Sequence, residues 1–112
     1  MRLPNADLAI IDRAKLESYL LSASHPIGRF KARFFAALGF SEAAWMNLEA
    51  ALRRDHLTTD AELVETLALG QSYRIQAILN GPIASAPVVS VWFVRKGEEV
   101  PRLVTAYPGD KL

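Results

Sequence analysis

The sequence predicts a single α+β domain, in which three N-terminal helices pack on a three- or four-stranded antiparallel sheet. Apolar residues recur at helical spacing as far as about residue 54, and short apolar runs separated by turn residues follow. The loops between these runs are too short for the crossover connections of parallel strands. With 112 residues, 51% of them hydrophobic, the chain is long enough to bury one core.

The first two helices are predicted from their boundaries and their apolar stripes. Asp12 suits the N-cap of a helix over residues 13–22. Pro26 restarts the chain in a second helix over residues 27–38, and Gly39 is a natural C-terminal stop. Each helix carries large apolar side chains at i, i+3 and i+4 spacing, which indicates one buried face. These stripes consist of Leu16, Tyr19 and Leu20 in the first helix and of Ile27, Phe30, Phe34 and Leu38 in the second.

The third helix is predicted over residues 42–54, opened by Ser41, with two arginines near the negative end of its dipole. Its inward face is expected to contain Trp45, Leu48 and Leu52. His56 follows in a loop and is expected at the surface. Over the whole chain, the side chains expected to be largely buried are Phe30, Phe34, Trp45, Ile75 and either Val91 or Trp92.

The strands are predicted in the second half of the chain. Residues 61–69 fit a helix as well as a strand. The strand is preferred, because Gly70-Gln71 would then turn the chain into the clear strand Tyr73–Leu79. Residues 88–95 are apolar on both faces, which is typical of an interior strand.

The last strand is predicted over residues 102–107. Side chains alternate along a strand, so Leu103, Thr105 and Tyr107 are expected on one face. If Leu103 faces the helices, the two hydroxyls do so as well, and buried hydroxyls need hydrogen-bond partners. Either the neighbouring backbone or a bound substrate could provide them.

The composition disfavours several classes of protein. There is no cysteine, so disulfides, thiol nucleophiles and thiolate metal sites are excluded. The two histidines, His25 and His56, lie too far apart for a zinc motif. No apolar run reaches the roughly 18 residues of a membrane span, and the N-terminus does not resemble a signal peptide. We therefore expect a cytoplasmic protein that makes no membrane contact. Nucleotide-binding motifs are missing, and no cofactor or metal is expected.

The net charge of +1 conceals an uneven distribution. Residues 22–41 contain Arg29, Lys31 and Arg33 and no acidic residue, whereas residues 42–70 carry six acids and two arginines. A local basic segment can attract phosphate groups without making the whole protein polycationic. The alternative interpretation is that these three bases form a solvated helix face.

The histidine and the basic residues of segment 22–41 could support acid–base chemistry that needs no metal. Histidine exchanges a proton near neutral pH, and His25 lies at a helix start just before the basic segment. Lys31 and Arg29 supply positive charge that could hold a phosphate or stabilise a pentacovalent transition state. A histidine before a proline is also a common turn residue, so both interpretations of His25 stay open.

Three stretches of the chain carry a recognisable pattern. They read LPNAD…IID with LxxYLL at residues 3–21, HPIGRFKARFFAALGF at 25–40, and VWFV…PRLVTAYP at 91–108. Together they resemble a bacterial domain family of unknown function. Some of its members resemble the C-terminal toxin modules of large secreted proteins, which are similar to the metal-independent ribonuclease fold of barnase and colicin D. The resemblance implies helices on an antiparallel sheet, and functional residues at His25, Lys31, Thr105 and Tyr107.

The leading hypothesis is a metal-independent endoribonuclease-like toxin domain that cleaves RNA by 2′-OH attack and is restrained by a cognate antitoxin or immunity protein. His25 would be the acid or base and Lys31 the phosphate clamp. Thr105 and Tyr107 would orient the phosphate, while Arg29 and Arg33 would bind substrate. The alternative is a non-catalytic RNA- or protein-binding module, in which exposed aromatic side chains stack on bases or on a partner.

Overall fold

In the computed structural model, which describes residues 1–110, the helices precede the strands along the chain, and the α+β prediction is confirmed. A 3₁₀ turn at Ala6–Leu8 comes first. The helices are α1 (Arg13–Lys15, continued by a π-helical turn at Leu16–Leu20), α2 (Gly28–Ala37) and α3 (Trp45–Ala51, continued by a π-helical turn at Leu52–His56). The strands are β1 (Glu62–Leu67), β2 (Gly70–Asn80), β3 (Ser85–Arg95) and β4 (Arg102–Pro108).

The end of α2 agrees with the predicted stop. Gly39 adopts a left-handed conformation with φ of 99°, which a residue without Cβ reaches at little cost. The N–H of Gly39 donates to the carbonyl of Ala36 at 2.9 Å, and the N–H of Phe40 donates to that of Phe35 at 3.1 Å. These bonds satisfy carbonyls that the helix end would otherwise leave without partners.

The four strands form one antiparallel sheet in the order β1-β2-β3-β4. The position of β3 in the sheet interior and the strand assignment for residues 61–69 are both confirmed. The turn between β1 and β2 lies at Ala68-Leu69 rather than at Gly70-Gln71, since Leu67 pairs directly with Gly70. Gly70 is instead the first residue of β2, where a Cβ atom would overlap the carbonyl oxygen of Val94 on β3.

One face of the sheet packs on the helices and forms the core. Ile75 and Trp92 are fully buried, as predicted, and so are Leu48 and Leu52 of the third helical segment. Trp45 is only half-buried, at the first turn of α3. The largest fully buried apolar side chains are Trp92, Phe35, Leu16, Leu20, Leu48, Leu52, Ile75, Leu79 and Val88.

The buried face of α2 differs from the predicted stripe. Of the predicted stripe only Leu38 is buried: Ile27 and Phe30 are exposed, by 64% and 63%, and Phe34 is half-buried. Gly28, Ala32 and Phe35 face inward instead. The prediction followed the large apolar residues that recur at helical spacing. Small residues decided the outcome, because Gly28 and Ala32 let α2 approach its neighbour closely.

His56 is buried, and the prediction of a surface histidine was wrong. The π-helical turn carries it under the sheet, where its Nδ1 lies 2.7 Å from Ser90 Oγ. Trp92 Nε1 donates to the same oxygen at 2.8 Å, so the Ser90 hydroxyl joins the imidazole and the indole in one buried hydrogen-bonded group. Burial lowers the pKa of His56 from 6.5 to about 4, although the Ala77 carbonyl and the Asp55 charge oppose the shift.

A β-bulge interrupts the alternation along β4. Trp92 pairs with Leu103 and Val91 with Thr105, so Val104 is an extra residue on β4. Leu103 and Ala106 are consequently the two residues of β4 that reach the core. The expectation that Thr105 and Tyr107 share the core face with Leu103 was therefore wrong. Both are half-buried instead.

The outer edge of β4 is covered by the N-terminal segment. Ile10 forms a parallel bridge with Arg102, and the N–H of Leu103 donates to the Ile10 carbonyl at 3.0 Å. This contact holds the start of α1 beside β4. None of the helices within residues 1–110 is both long and apolar enough to cross a membrane.

The observed orientation of α2, with Phe35 buried and Phe30 exposed, predicts an ordered series of stability changes. Phe35→Ala should lower the free energy of unfolding by about 3–5 kcal/mol, because it opens a cavity in the core. Phe34→Ala should cost less, and the exposed Phe30→Ala should stay within about 0.5 kcal/mol of the wild type. Urea unfolding monitored by tryptophan fluorescence measures all three. A larger loss for Phe30→Ala than for Phe35→Ala would contradict the orientation of α2.

Buried His56 predicts that stability falls in mild acid. In the unfolded chain His56 takes up a proton below about pH 6.5, whereas in the folded chain it stays neutral until about pH 4. The stability that neutral His56 contributes is therefore fully present above the pKa of His56 in the unfolded chain, and it is lost as the pH falls through this window. The loss should reach roughly 2 kcal/mol between about pH 7.5 and pH 5. His56→Gln should flatten this dependence in urea unfolding. Equal slopes in wild type and His56→Gln would contradict the burial of a neutral ring.

Candidate functional site

The side chain of Tyr19 joins elements from both halves of the chain. Lys31 Nζ, on α2, donates to the Tyr19 hydroxyl at 2.7 Å. The hydroxyl of Thr105, on β4, lies 3.3 Å from the same oxygen. All three side chains are half-buried, so the hydroxyl is partly shielded but can still meet a ligand. We refer to Tyr19, Lys31, Thr105 and the neighbouring His25 as the Tyr19 cluster.

His25 stands between Tyr19 and the start of α2. Its ring contacts the Tyr19 ring edge-on, with centroids 5.0 Å apart and an interplanar angle of 69°. Its Nδ1 accepts the N–H groups of Ile27 at 3.0 Å and Gly28 at 2.9 Å. These bonds cap the helix, and they require an unprotonated Nδ1. We therefore assign the neutral ring with its proton on Nε2, which leaves Nε2–H free to donate a hydrogen bond.

Two lysines surround the Tyr19 ring. Lys31 Nζ lies 5.0 Å and Lys15 Nζ 5.8 Å from its centroid. Burial acts to raise the pKa of Tyr19. The hydrogen bonds from Lys31 and Thr105, followed by the charges of Lys31 and Lys15, outweigh burial, and the net pKa is lowered from 10.0. The phenol thus gives up its proton more readily than an ordinary tyrosine does.

A close helix contact places Tyr19 at this position. A Cβ atom on Gly28 would overlap the backbone carbonyl of Tyr19 and crowd its ring. Glycine is therefore required at this point, because any side chain would push α2 away from α1. Lys31 follows Gly28 by three residues on the same helix face, which brings its side chain to the Tyr19 hydroxyl.

The structure brings some of the predicted site residues together and separates others. His25, Lys31 and Thr105 meet around Tyr19, although Thr105 lies more than 70 residues from the other two in sequence. Tyr107 lies two residues beyond Thr105 on β4, where it pairs with Val89, and within residues 1–110 no hydrogen bond links its side chain to that of Tyr19. The side chains of Arg29 and Arg33 line a pocket on the opposite flank of α2.

Sequence reasoning missed Tyr19 as a candidate site residue. It was assigned to the apolar stripe of the first helix because it follows Leu16 at i+3. The available signal was its hydroxyl, a polar group on an otherwise apolar face that needs a partner when it is buried. The identity of that partner depends on the packing of α2 and β4, which the sequence pattern does not give.

The cluster contains the groups that a phosphoryl-transfer site uses. It provides a phenol with lowered pKa, an ammonium group, an imidazole N–H and a hydroxyl, all partly accessible. Within residues 1–110, no three His, Asp or Glu side chains come together as a metal site. The phenol, ammonium, imidazole and hydroxyl groups can offer proton transfer and electrostatic stabilisation of an anion.

The chain belongs to the family described as Domain of unknown function (DUF6883), which matches residues 2–110. This agrees with the predicted membership of a domain family of unknown function. No curated protein and no solved structure matches the chain. The family description states no activity, substrate or ligand.

Replacing Lys31 with methionine should raise the pKa of Tyr19. Methionine keeps the length of the side chain but removes the hydrogen bond and the positive charge that favour the phenolate. The pKa can be measured by ultraviolet titration of each protein against its Tyr19→Phe counterpart, which isolates the Tyr19 signal. Lys96→Met, on the turn after β3, is the matched control and should leave the titration unchanged. An unaltered Tyr19 pKa in Lys31→Met would contradict the described hydrogen bond.

Proposed function

We propose that this domain is a metal-independent endoribonuclease, in which the Tyr19 cluster catalyses attack of an RNA 2′-OH on the adjacent phosphodiester. The observation that supports this most is the 2.7 Å hydrogen bond from Lys31 to a tyrosine of lowered pKa. RNA carries its own nucleophile in the 2′-OH. An enzyme that cleaves it needs a proton acceptor, a proton donor and positive charge at the phosphate.

In this proposal Tyr19 moves the proton. Its phenolate, stabilised by Lys31, takes the proton of the 2′-OH as the bond from O2′ to phosphorus forms. The resulting phenol returns that proton to the leaving 5′ oxygen as the bond from phosphorus to O5′ breaks. The products are a 2′,3′-cyclic phosphate and a 5′-hydroxyl, and the enzyme regains its starting state.

The other members of the cluster stabilise and orient. Lys31 provides positive charge close to the phosphate, whose oxygens gain charge in the transition state. His25 donates from Nε2 to a phosphate oxygen, since its Nδ1 is occupied by the backbone of α2. Thr105 keeps the Tyr19 hydroxyl directed toward the open side of the cluster. Tyr107 has no role in this proposal.

The test is cleavage of mixed single-stranded RNA in the presence of EDTA. The wild type should release 2′,3′-cyclic phosphate ends and should not cut 2′-O-methyl RNA. Tyr19→Phe and Lys31→Met should each reduce the rate by about 10²-fold or more. The matched controls Tyr107→Phe and Lys96→Met should retain it.

The outcomes separate the proposal from its alternatives. No cleavage by folded wild type on any RNA tried, or full activity in Tyr19→Phe, would refute it. If the domain acts as a toxin through this chemistry, expression of the wild type should arrest bacterial growth and Tyr19→Phe should not. A cognate antitoxin or immunity protein would then be required only by the active form.

A non-catalytic RNA-binding module is the second candidate function. It is favoured by Phe30, whose ring is 63% exposed beside the basic pocket of α2. An exposed aromatic ring next to unpaired positive charge is the arrangement with which proteins stack the bases of single strands. Binding of single-stranded RNA by the folded wild type, without cleavage of that RNA, would favour this candidate over the first.

A further inference from the structure

The flank of α2 that faces away from the Tyr19 cluster contains an open pocket. Its volume is about 360 Å³, at the lower end of the roughly 300–1,000 Å³ usual for small-molecule sites. Its walls are mainly apolar and include two exposed arginines. The lining residues are Leu21, Ala23, Arg29, Phe30, Ala32, Arg33, Ala36, Phe40 and Ser41.

The two arginines of this pocket differ from the others in the chain. Of its nine arginines, seven lie within 4.0 Å of a carboxylate oxygen. Arg29 and Arg33 make no ion pair among residues 1–110, and the segment 22–41 around them has no acid. They are four residues apart on one helix, so both guanidinium groups lie on the same side of α2. Their charge is available to an external anion.

The pocket also presents an aromatic ring. Phe30 is 63% exposed, and the Arg29 guanidinium lies 4.8 Å from its centroid. Burying this ring against a flat apolar partner would be favourable, because its surface is otherwise exposed to water. A ligand with a flat ring and an adjacent anionic group would therefore use both features at once.

We propose that this pocket is a subsite for one unpaired nucleobase of single-stranded RNA, with the neighbouring phosphates on Arg29 and Arg33. The base stacks on Phe30 and lies against the apolar wall. A duplex would not fit in the same way, because its bases are already stacked on each other. An acidic protein segment could satisfy the arginines, but it has no flat ring with which to use Phe30.

The identity of this ligand as RNA rests on the proposed function. The position of the pocket relates the ligand to the Tyr19 cluster. Arg29 and Lys31 are two residues apart and lie about 160° apart around the helix axis. The pocket and the Tyr19 cluster are thus on opposite flanks of α2. An RNA strand that crosses the first turn of the helix, over the exposed Ile27, would place one base in the pocket and a nearby phosphodiester at Tyr19.

Binding of a labelled single-stranded 2′-O-methyl oligoribonucleotide tests this subsite without cleavage, because that RNA has no free 2′-OH. Fluorescence polarisation over a series of salt concentrations gives the affinity. Phe30→Ala should weaken binding roughly tenfold. Arg29→Ala and Arg33→Ala should each weaken it and lower the salt slope by about one.

The controls remove similar side chains elsewhere on the surface. Arg95→Ala removes an arginine that pairs with Glu98, and Ile83→Ala removes an apolar side chain that is 79% exposed. Both should bind the RNA like the wild type. A duplex of the same sequence should bind without dependence on Phe30.

Two binding results would overturn the subsite. The first is equal affinity of wild type and Phe30→Ala for the single strand. The second is binding of poly-glutamate, but not of RNA, in a manner that depends on Arg29 and Arg33, since this would indicate an acidic protein partner. Phe30-dependent binding without cleavage of natural RNA would retain the subsite and reject the proposed catalysis. Normal cleavage by Phe30→Ala and Arg33→Ala would reject the subsite and retain the proposed catalysis.

Discussion

The contact between Gly28 and the backbone of Tyr19 sets the geometry on which the candidate site depends. Because no Cβ separates the two helices there, α2 lies directly against the end of α1. This contact turns Phe35 toward the core and leaves Phe30 at the surface. It also brings the ammonium group of Lys31 within hydrogen-bond distance of the Tyr19 hydroxyl. One small residue thus decides both the buried face of the helix and the membership of the cluster.

The sheet contributes to the same site through an irregularity. The extra residue Val104 changes the phase of β4, so that Leu103 and Ala106 both reach the core while Thr105 becomes available to Tyr19. Regular alternation would have placed Thr105 and Leu103 on one face. Bulges commonly re-aim a side chain in this way next to functional sites. The π-helical turn at Leu52–His56 has a comparable effect on the other side of the core, where it carries a histidine beneath the sheet.

The basic residues of segment 22–41 lie on two opposite flanks of α2. Lys31 points to the Tyr19 cluster, while Arg29 and Arg33 face the pocket around Phe30. Within residues 1–110 each of the other seven arginines lies within 4.0 Å of a carboxylate oxygen, so both arginines without an ion pair are on α2. A protein with a net charge of only +1 can therefore have a locally positive surface.

The sequence by itself determined the α+β class, the order of the elements, the interior position of β3 and the end of α2 at Gly39, because these follow from local periodicity and backbone preference. It also indicated His25, Lys31 and Thr105 as candidate residues, through a motif resemblance. Only the tertiary structure decided that Tyr19 joins them and that His56 is buried. Those outcomes depend on how closely two helices approach and where a strand bulges, and such distances are set by packing between segments remote in sequence.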